Sequence, residues 1–170
     1  NKKIAEVDST TMAYYQQCLK VVSKPIVISM ADTLFRMAGD VGDKRMQAVA
    51  LCTKLDHYYF NSDMEHQRDS ILEWTKRIKR FAKETNQPKY YYFVWASRLI
   101  NHYLYRKEYN IALIEAENML KEAEKEDYKE GVAECYSALT NIYIAKGIIE
   151  KADEFSQKEI EMFEKHDLDR

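Results

Sequence analysis

One pattern occurs twice in the second half of the chain, 40 residues apart. Ala96, Leu99, Asn101, Tyr103 and Ala112 recur as Tyr136, Leu139, Asn141, Tyr143 and Ala152. Self-similarity at this period marks a stacked helical array, in which each unit buries its apolar face against a neighbour. A many-stranded alternative needs more turn residues than the four glycines and two prolines present. The composition is rich in Ala, Leu, Glu, Lys and Met, which favours helices. Thirteen tyrosines suit the seams of such an array, where the ring packs and the hydroxyl reaches water.

The breaks in the chain place the helices. Asn1 to Asp8 is polar and reads as a loose lead-in, with Ser9 or Thr10 capping a first helix. Ser23-Lys24-Pro25 ends that helix, because the residue before proline is pushed out of helical geometry. Pro25 then suits the first turn of a second helix, with Ala31, Leu34, Phe35 and Ala38 as its apolar stripe. Gly39-Asp40-Val41-Gly42-Asp43 is the clearest break. A third helix follows over roughly 44–60, with Ala48, Leu51, Cys52, Leu55 and Tyr59 on one face, and a fourth over roughly 64–85. Asn86-Gln87-Pro88 closes it. Four more helices are expected over about 89–107, 110–126, 128–146 and 149–166, with Gly147 as a natural stop. The expected fold is all-α: one array of four antiparallel hairpins over about 9–39, 43–86, 89–126 and 128–166. Leu55 and Tyr59 carry a weaker echo of Leu99 and Tyr103, 44 residues earlier.

At 170 residues the chain can bury roughly 70% of its extended surface, enough for its own core. The formal net charge of −2, from 26 basic and 28 acidic residues, gives no electrostatic case for nucleic acid. Cys18, Cys52 and Cys135 are far apart and odd in number, with neither zinc spacing nor a disulfide framework. No run of 18 apolar residues exists to span a membrane. The start at Asn1 rather than Met predicts a processed chain or a segment of a longer one, which leaves room for a flanking membrane helix.

The last repeat reads Tyr136-x-x-Leu139-x-x-x-Tyr143-x-x-x-Gly147-x-x-x-x-Ala152. This resembles a tetratricopeptide (TPR) repeat, in which a large residue, Leu, Tyr, Gly and Ala fall at those intervals. The small Ala152 lets the second helix approach the first, Gly147 permits a tight turn and Tyr143 fills the seam. The preceding repeat has Lys107 in place of the turn glycine and Ala96 for the large residue, which predicts a longer period and looser packing. A wider resemblance rests on Ala31-Asp32-Thr33-Leu34-Phe35, Tyr91-Tyr92-Phe93-Val94-Trp95, Ala112 to Leu120 and Glu130-Gly131-Val132-Ala133. These stretches are similar to the N-terminal TPR regions of Bacteroidetes two-component sensor histidine kinases. The resemblance implies a sensor-like TPR domain outside the inner membrane, hence a periplasmic location, followed in the parent chain by a membrane helix and a kinase. A free-standing soluble adaptor, cytoplasmic in that case, and the TPR arm of a transcription regulator are the alternatives.

Helix geometry gives the candidate groove. Asn101 lies off the packing stripe of its helix, with Ser97 one turn before it and Tyr105 one turn after. Ser137 and Asn141 are their equivalents on the later helix, beside Glu134, and the 44-residue echo adds His57. A ladder of His57, Asn101 and Asn141 could hydrogen-bond an extended protein or peptide segment, or a second copy of the chain. The competing reading is that the asparagines tie down neighbouring backbone or face water. The aromatic run from Tyr90 to Trp95 points in several directions, so it cannot all enter one core. Lys76, Arg77, Lys79, Arg80 and Lys83 read as a solvated face. His57, His66, His102 and His166 form no recognised catalytic or metal-binding spacing, and no phosphate loop is present. The segment is therefore expected to be non-catalytic, with no cofactor.

Overall fold

The structure, a computed structural model, describes residues 2–63 and 65–168. α1 (Lys2–Lys20), α2 (Ile26–Asp40), α3 (Lys44–Tyr59) and α4 (Gln67–Glu84) come first. α5 (Lys89–Val94), a π-helical segment (Trp95–Ile100) and α6 (Asn101–Tyr105) follow one another directly. Then come α7 (Tyr109–Lys125), α8 (Lys129–Lys146) and α9 (Ile149–His166). Among the described residues there is no strand, so the fold is all-α. The chain divides into two compact units, residues 1–91 and 92–170, and the division falls inside α5 rather than in a loop.

Two boundaries differ from expectation. α1 begins at Lys2, so Ser9 and Thr10 lie within it and cap nothing. Residues 2–8 contain neither glycine nor proline, and nothing in them stops a helix from extending toward the terminus. α4 begins at Gln67, after His66 at φ 61°, while the expected start at Met64 lies outside the described residues.

The helix ends repeat one device. Gly42, Asn86, Lys107, Asp127, Gly147 and Asp167 all sit in the left-handed region, with φ from 51° to 78°. At each, the next residue's N–H reaches the carbonyl five positions back. The bonds are Asp43 to Ala38 at 2.8 Å, Gln87 to Ala82 at 2.7 Å and Glu108 to Tyr103 at 2.9 Å. Tyr128 to Ala123 and Ile148 to Tyr143, both 2.9 Å, and Leu168 to Phe163 at 3.2 Å complete the series. This closure satisfies carbonyls that a helix end otherwise leaves open and turns the chain within two residues. Lys107 therefore makes the same turn as Gly147, and its side chain does not lengthen the connection. From Lys107 onward the left-handed residues fall every 20 positions, as do the helix starts at Lys89, Tyr109, Lys129 and Ile149. The 40-residue repeat in the sequence is thus two 20-residue helix-and-turn steps.

In the first unit, Cys18, Val27, Leu34, Ala38, Met46 and Ala50 form a buried cluster across α1, α2 and α3. Phe35 and Phe81 meet edge to face, 5.6 Å between centroids, and join α2 to α4. Lys54 is buried on α3, pairs with Asp32 on α2, and holds its ammonium 4.6 Å from the centre of the Trp74 ring on α4. Arg77 also lies 4.6 Å from that ring and pairs with Glu73 at 2.9 Å. The neighbouring Lys76, Arg80 and Lys83 are exposed, as a solvated face requires.

In the second unit, Ala112, Ala116 and Ala123 are fully buried on α7. Their small side chains let the neighbouring helices approach closely. Tyr143 of α8 stacks on Phe155 of α9, with centroids 5.7 Å apart and planes 4° from parallel. Ala152 is buried one turn before Phe155. These are the seam, turn and small-residue roles read from Tyr143, Gly147 and Ala152. Of the aromatic run, Tyr91, Tyr92 and Trp95 are buried while Phe93 is exposed under the Arg98 guanidinium, 5.6 Å from its ring centre.

Candidate functional site

The repeated polar positions lie on α6, on α8 and on the π-helical segment of the second unit. Helix spacing alone would place Ser97 and Asn101 one turn apart, as it places Ser137 and Asn141. Between the first pair, however, the winding is π-helical. The buried residues show the change of phase: Val94 and Trp95, then Leu99 and Ile100, five positions on. In α8 the buried set is Cys135, Ala138, Leu139 and Ile142, at the ordinary intervals of three and four. Despite this difference Asn101 and Asn141 both emerge exposed, and Ser97 and Ser137 are both half-buried. The sequence equivalence of the two steps survives as an equivalence of exposure.

The hydrogen bonds differ between the steps. Short polar side chains within helices can bond the carbonyl four residues back, as Thr53, Thr75 and Thr85 do in the first unit. Ser97 Oγ donates to the Phe93 carbonyl, and Asn101 Nδ2 donates to the Ser97 carbonyl at 3.0 Å. Two of the predicted groove residues thus cover backbone oxygens. On α8 that service falls to Thr140, whose hydroxyl donates to the Tyr136 carbonyl at 2.8 Å. Ser137 and Asn141 take no hydrogen-bond partner among the described residues, so the Asn141 amide keeps its full capacity for an incoming group.

Tyr105 is 81% exposed at the end of α6, the most open of the large hydrophobic residues among the described ones. His57 stands elsewhere. It is buried on α3 in the first unit, with Nδ1 2.9 Å from the Val22 carbonyl and Asn61 Nδ2 donating to its own carbonyl at 2.5 Å. Its place is in the packing of that unit, holding the end of α1 to α3. The open candidates are Ser97, Asn101, Tyr105, Ser137 and Asn141, all in residues 92–170.

Glu134 gives the α8 stripe its charge. It lies one turn before Ser137, and its carboxyl is pushed above the usual range by burial and then by Glu159 on α9. Both raise the cost of the charged form. The sequence marked Glu134 as a stripe residue, but its partial burial and its acidic neighbour depend on how α9 docks. The thiol of Cys135, immediately after it, is raised by burial and then by Glu134, Glu124 and Glu122, which disfavours the thiolate. Cys18, Cys52 and Cys135 are all free thiols. Among the described residues no group of three or more His, Cys, Asp or Glu is arranged to hold a metal ion. No helix among them is long and apolar enough to cross a membrane.

The arrangement presents amide and hydroxyl groups at equivalent places 40 residues apart, with the exposed Tyr105 one turn after Asn101. No protein-family model matches the chain, and comparison with curated proteins finds no relative.

Proposed function

We propose that this chain is a TPR-like protein-interaction domain, non-catalytic in itself, that serves as the sensing part of a two-component histidine kinase outside the inner membrane. The single observation that carries the binding reading is the pair of exposed asparagines. Asn101 and Asn141 stand 40 residues apart, on alternate steps of a regular 20-residue helix-and-turn series. Repeats of this kind build extended surfaces, and a polar side chain kept outward at the same place in every second step suits an extended backbone. The sensor reading rests on the resemblance in sequence. Ligand binding would act by shifting the curvature or self-association of the array and passing that change toward the C-terminal end.

The sequence of the native gene on either side of the segment tests the sensor part. A membrane helix followed by a kinase module after residue 170 is the expected result. A stop codon there would leave an adaptor, and a helix-turn-helix would leave the arm of a regulator.

A further inference from the structure

A recess opens in residues 92–170, between the end of α7, the start of α8 and the end of α9. Its volume is about 260 Å³. Engineered cavities of about 150 Å³ already admit a benzene ring, so the recess has room for a long side chain. The floor is Ala123, Val132, Tyr136 and Met162, and the rim is Glu124, Asp127, Lys129 and His166. Ala123 and Val132 are buried, which makes the floor apolar with one aromatic wall.

The charges on the rim are unequal. Asp127, held in its left-handed turn, accepts a hydrogen bond from Lys129 Nζ at 2.6 Å, so these two offset each other. Glu124 meets no cation among the described residues. Its charge is felt inside: the Tyr136 hydroxyl is raised by burial and then by Glu124. The surroundings have the same sign, since residues 121–168 carry thirteen carboxylates against seven lysines. The Tyr136 ring already draws one cation of the chain itself, Lys158, whose Nζ lies 6.0 Å from the ring centre and 3.7 Å from Glu154.

We propose that this recess takes the side chain of an arginine or lysine from a peptide partner. The aliphatic stem lies on Val132 and Met162, and the cationic head meets the Glu124 carboxylate beside the Tyr136 ring. An anionic side chain is opposed by Glu124, and a purely apolar one leaves that carboxylate without a cation. The proposal rests on the reading of the domain as a peptide binder, but not on the face carrying Asn101 and Asn141.

The test is a titration of the 170-residue protein with N-acetyl-arginine methylamide, read by the methyl NMR signals of Met162 and Val132. The capped norleucine analogue and agmatine are run in parallel. The expected result is saturable shifts at these two residues, with norleucine weaker by about tenfold or more, and Glu124→Gln reducing arginine affinity by about tenfold, the scale of one charge-assisted hydrogen bond. Glu124 is exposed, so the amide spectrum away from the recess reports that the variant is folded. Shifts absent from Met162 and Val132, equal binding of norleucine, or unchanged affinity in Glu124→Gln would overturn the proposal. Tighter binding of agmatine than of the capped residue would overturn the peptide source. Loss of partner binding on mutating Asn101 and Asn141, with arginine binding intact, would show the two sites to be separate.

Discussion

The ring of Tyr92 rests in the notch left by the missing side chain of Gly131. A Cβ built at Gly131 would stand 2.8 Å from Tyr92 Cζ and 2.5 Å from Tyr128 Cδ1. The two tyrosine rings meet over this position with centroids 5.2 Å apart. Helix propensity and packing make opposite predictions here. Gly131 is the third residue of α8, where a glycine-to-alanine change gains at most the roughly 1 kcal/mol of a helix interior, whereas overpacking a filled seam costs about 1–3 kcal/mol. Both neighbours are rings held at the seam, so packing prevails. Gly131→Ala is expected to destabilise the protein by about 1–2 kcal/mol in urea denaturation. A stabilised variant would mean that the rings move aside freely.

The left-handed turns predict effects of opposite sign. Gly147 sits at φ 78° and Lys107 at φ 60°. For a residue with a Cβ this region costs about 1–2 kcal/mol, which glycine avoids. Gly147→Ala is expected to lower stability by about 1 kcal/mol, and Lys107→Gly to raise it by about 0.5–1 kcal/mol. Asn86→Gly should gain less, because asparagine tolerates this region better than lysine does. Thermal melts of the three variants check the order. Equal responses at Gly147 and Lys107 would contradict a shared turn.

Glu134 predicts a pH dependence. Its folded pKa is raised, by burial and then by Glu159, so the folded state binds its proton more tightly than the unfolded state does. The sign follows from linkage. The contribution of the neutral carboxyl is fully present below the unfolded carboxylate pKa and is lost as pH rises through the folded one. Above that range the protein carries a charged carboxylate in a half-buried place beside a second carboxylate. Glu134→Gln is therefore expected to raise the melting temperature at pH 7, with the gain disappearing toward pH 4. A gain that stayed constant over this range would assign it to packing instead.

His57 separates core from groove. Its removal leaves the Val22 carbonyl without the ring nitrogen at 2.9 Å and a gap in the first unit. His57→Ala is expected to cost about 2–3 kcal/mol of stability, from the gap and the unsatisfied oxygen together. A fully stable variant would return His57 to the list of binding residues.

The sequence was most legible where one residue decides the local geometry. Pro25, Gly42, Asn86 and Gly147 marked the breaks because each either forbids helix or tolerates left-handed backbone. Tyr143 and Ala152 could be read because each falls at a fixed interval from the turn at Gly147, whereas Phe155, the ring that Tyr143 stacks on, was not singled out. Legibility ended where the geometry is set by more than one element. The breaks near Lys107 and Asp127 were also placed, but lysine has no preference for left-handed backbone that would reveal the closure at Lys107 as the one made at Gly147. The π-helical winding from Trp95 to Ile100 was hidden because a run so rich in apolar residues fits several periods at once. The exposure of Asn101 and Asn141 followed from their spacing, whereas spacing does not tell which of the two bonds its own helix: Asn101 does, to the Ser97 carbonyl, and Asn141 does not. The recess below Glu124 draws on three helices that no local pattern links.

The central claim is the proposal that the domain binds a partner through the exposed Asn101 of α6 and Asn141 of α8. The most direct measurement is quantitative affinity capture from a native extract, comparing the wild-type domain with the Asn101→Ala, Asn141→Ala double variant. The account predicts that a partner held by the wild type is depleted by about tenfold or more on the variant, the scale of two lost hydrogen bonds, while the circular-dichroism melt stays within a few degrees. An identical set of proteins held by both, at equal abundance and with both chains folded, would contradict it.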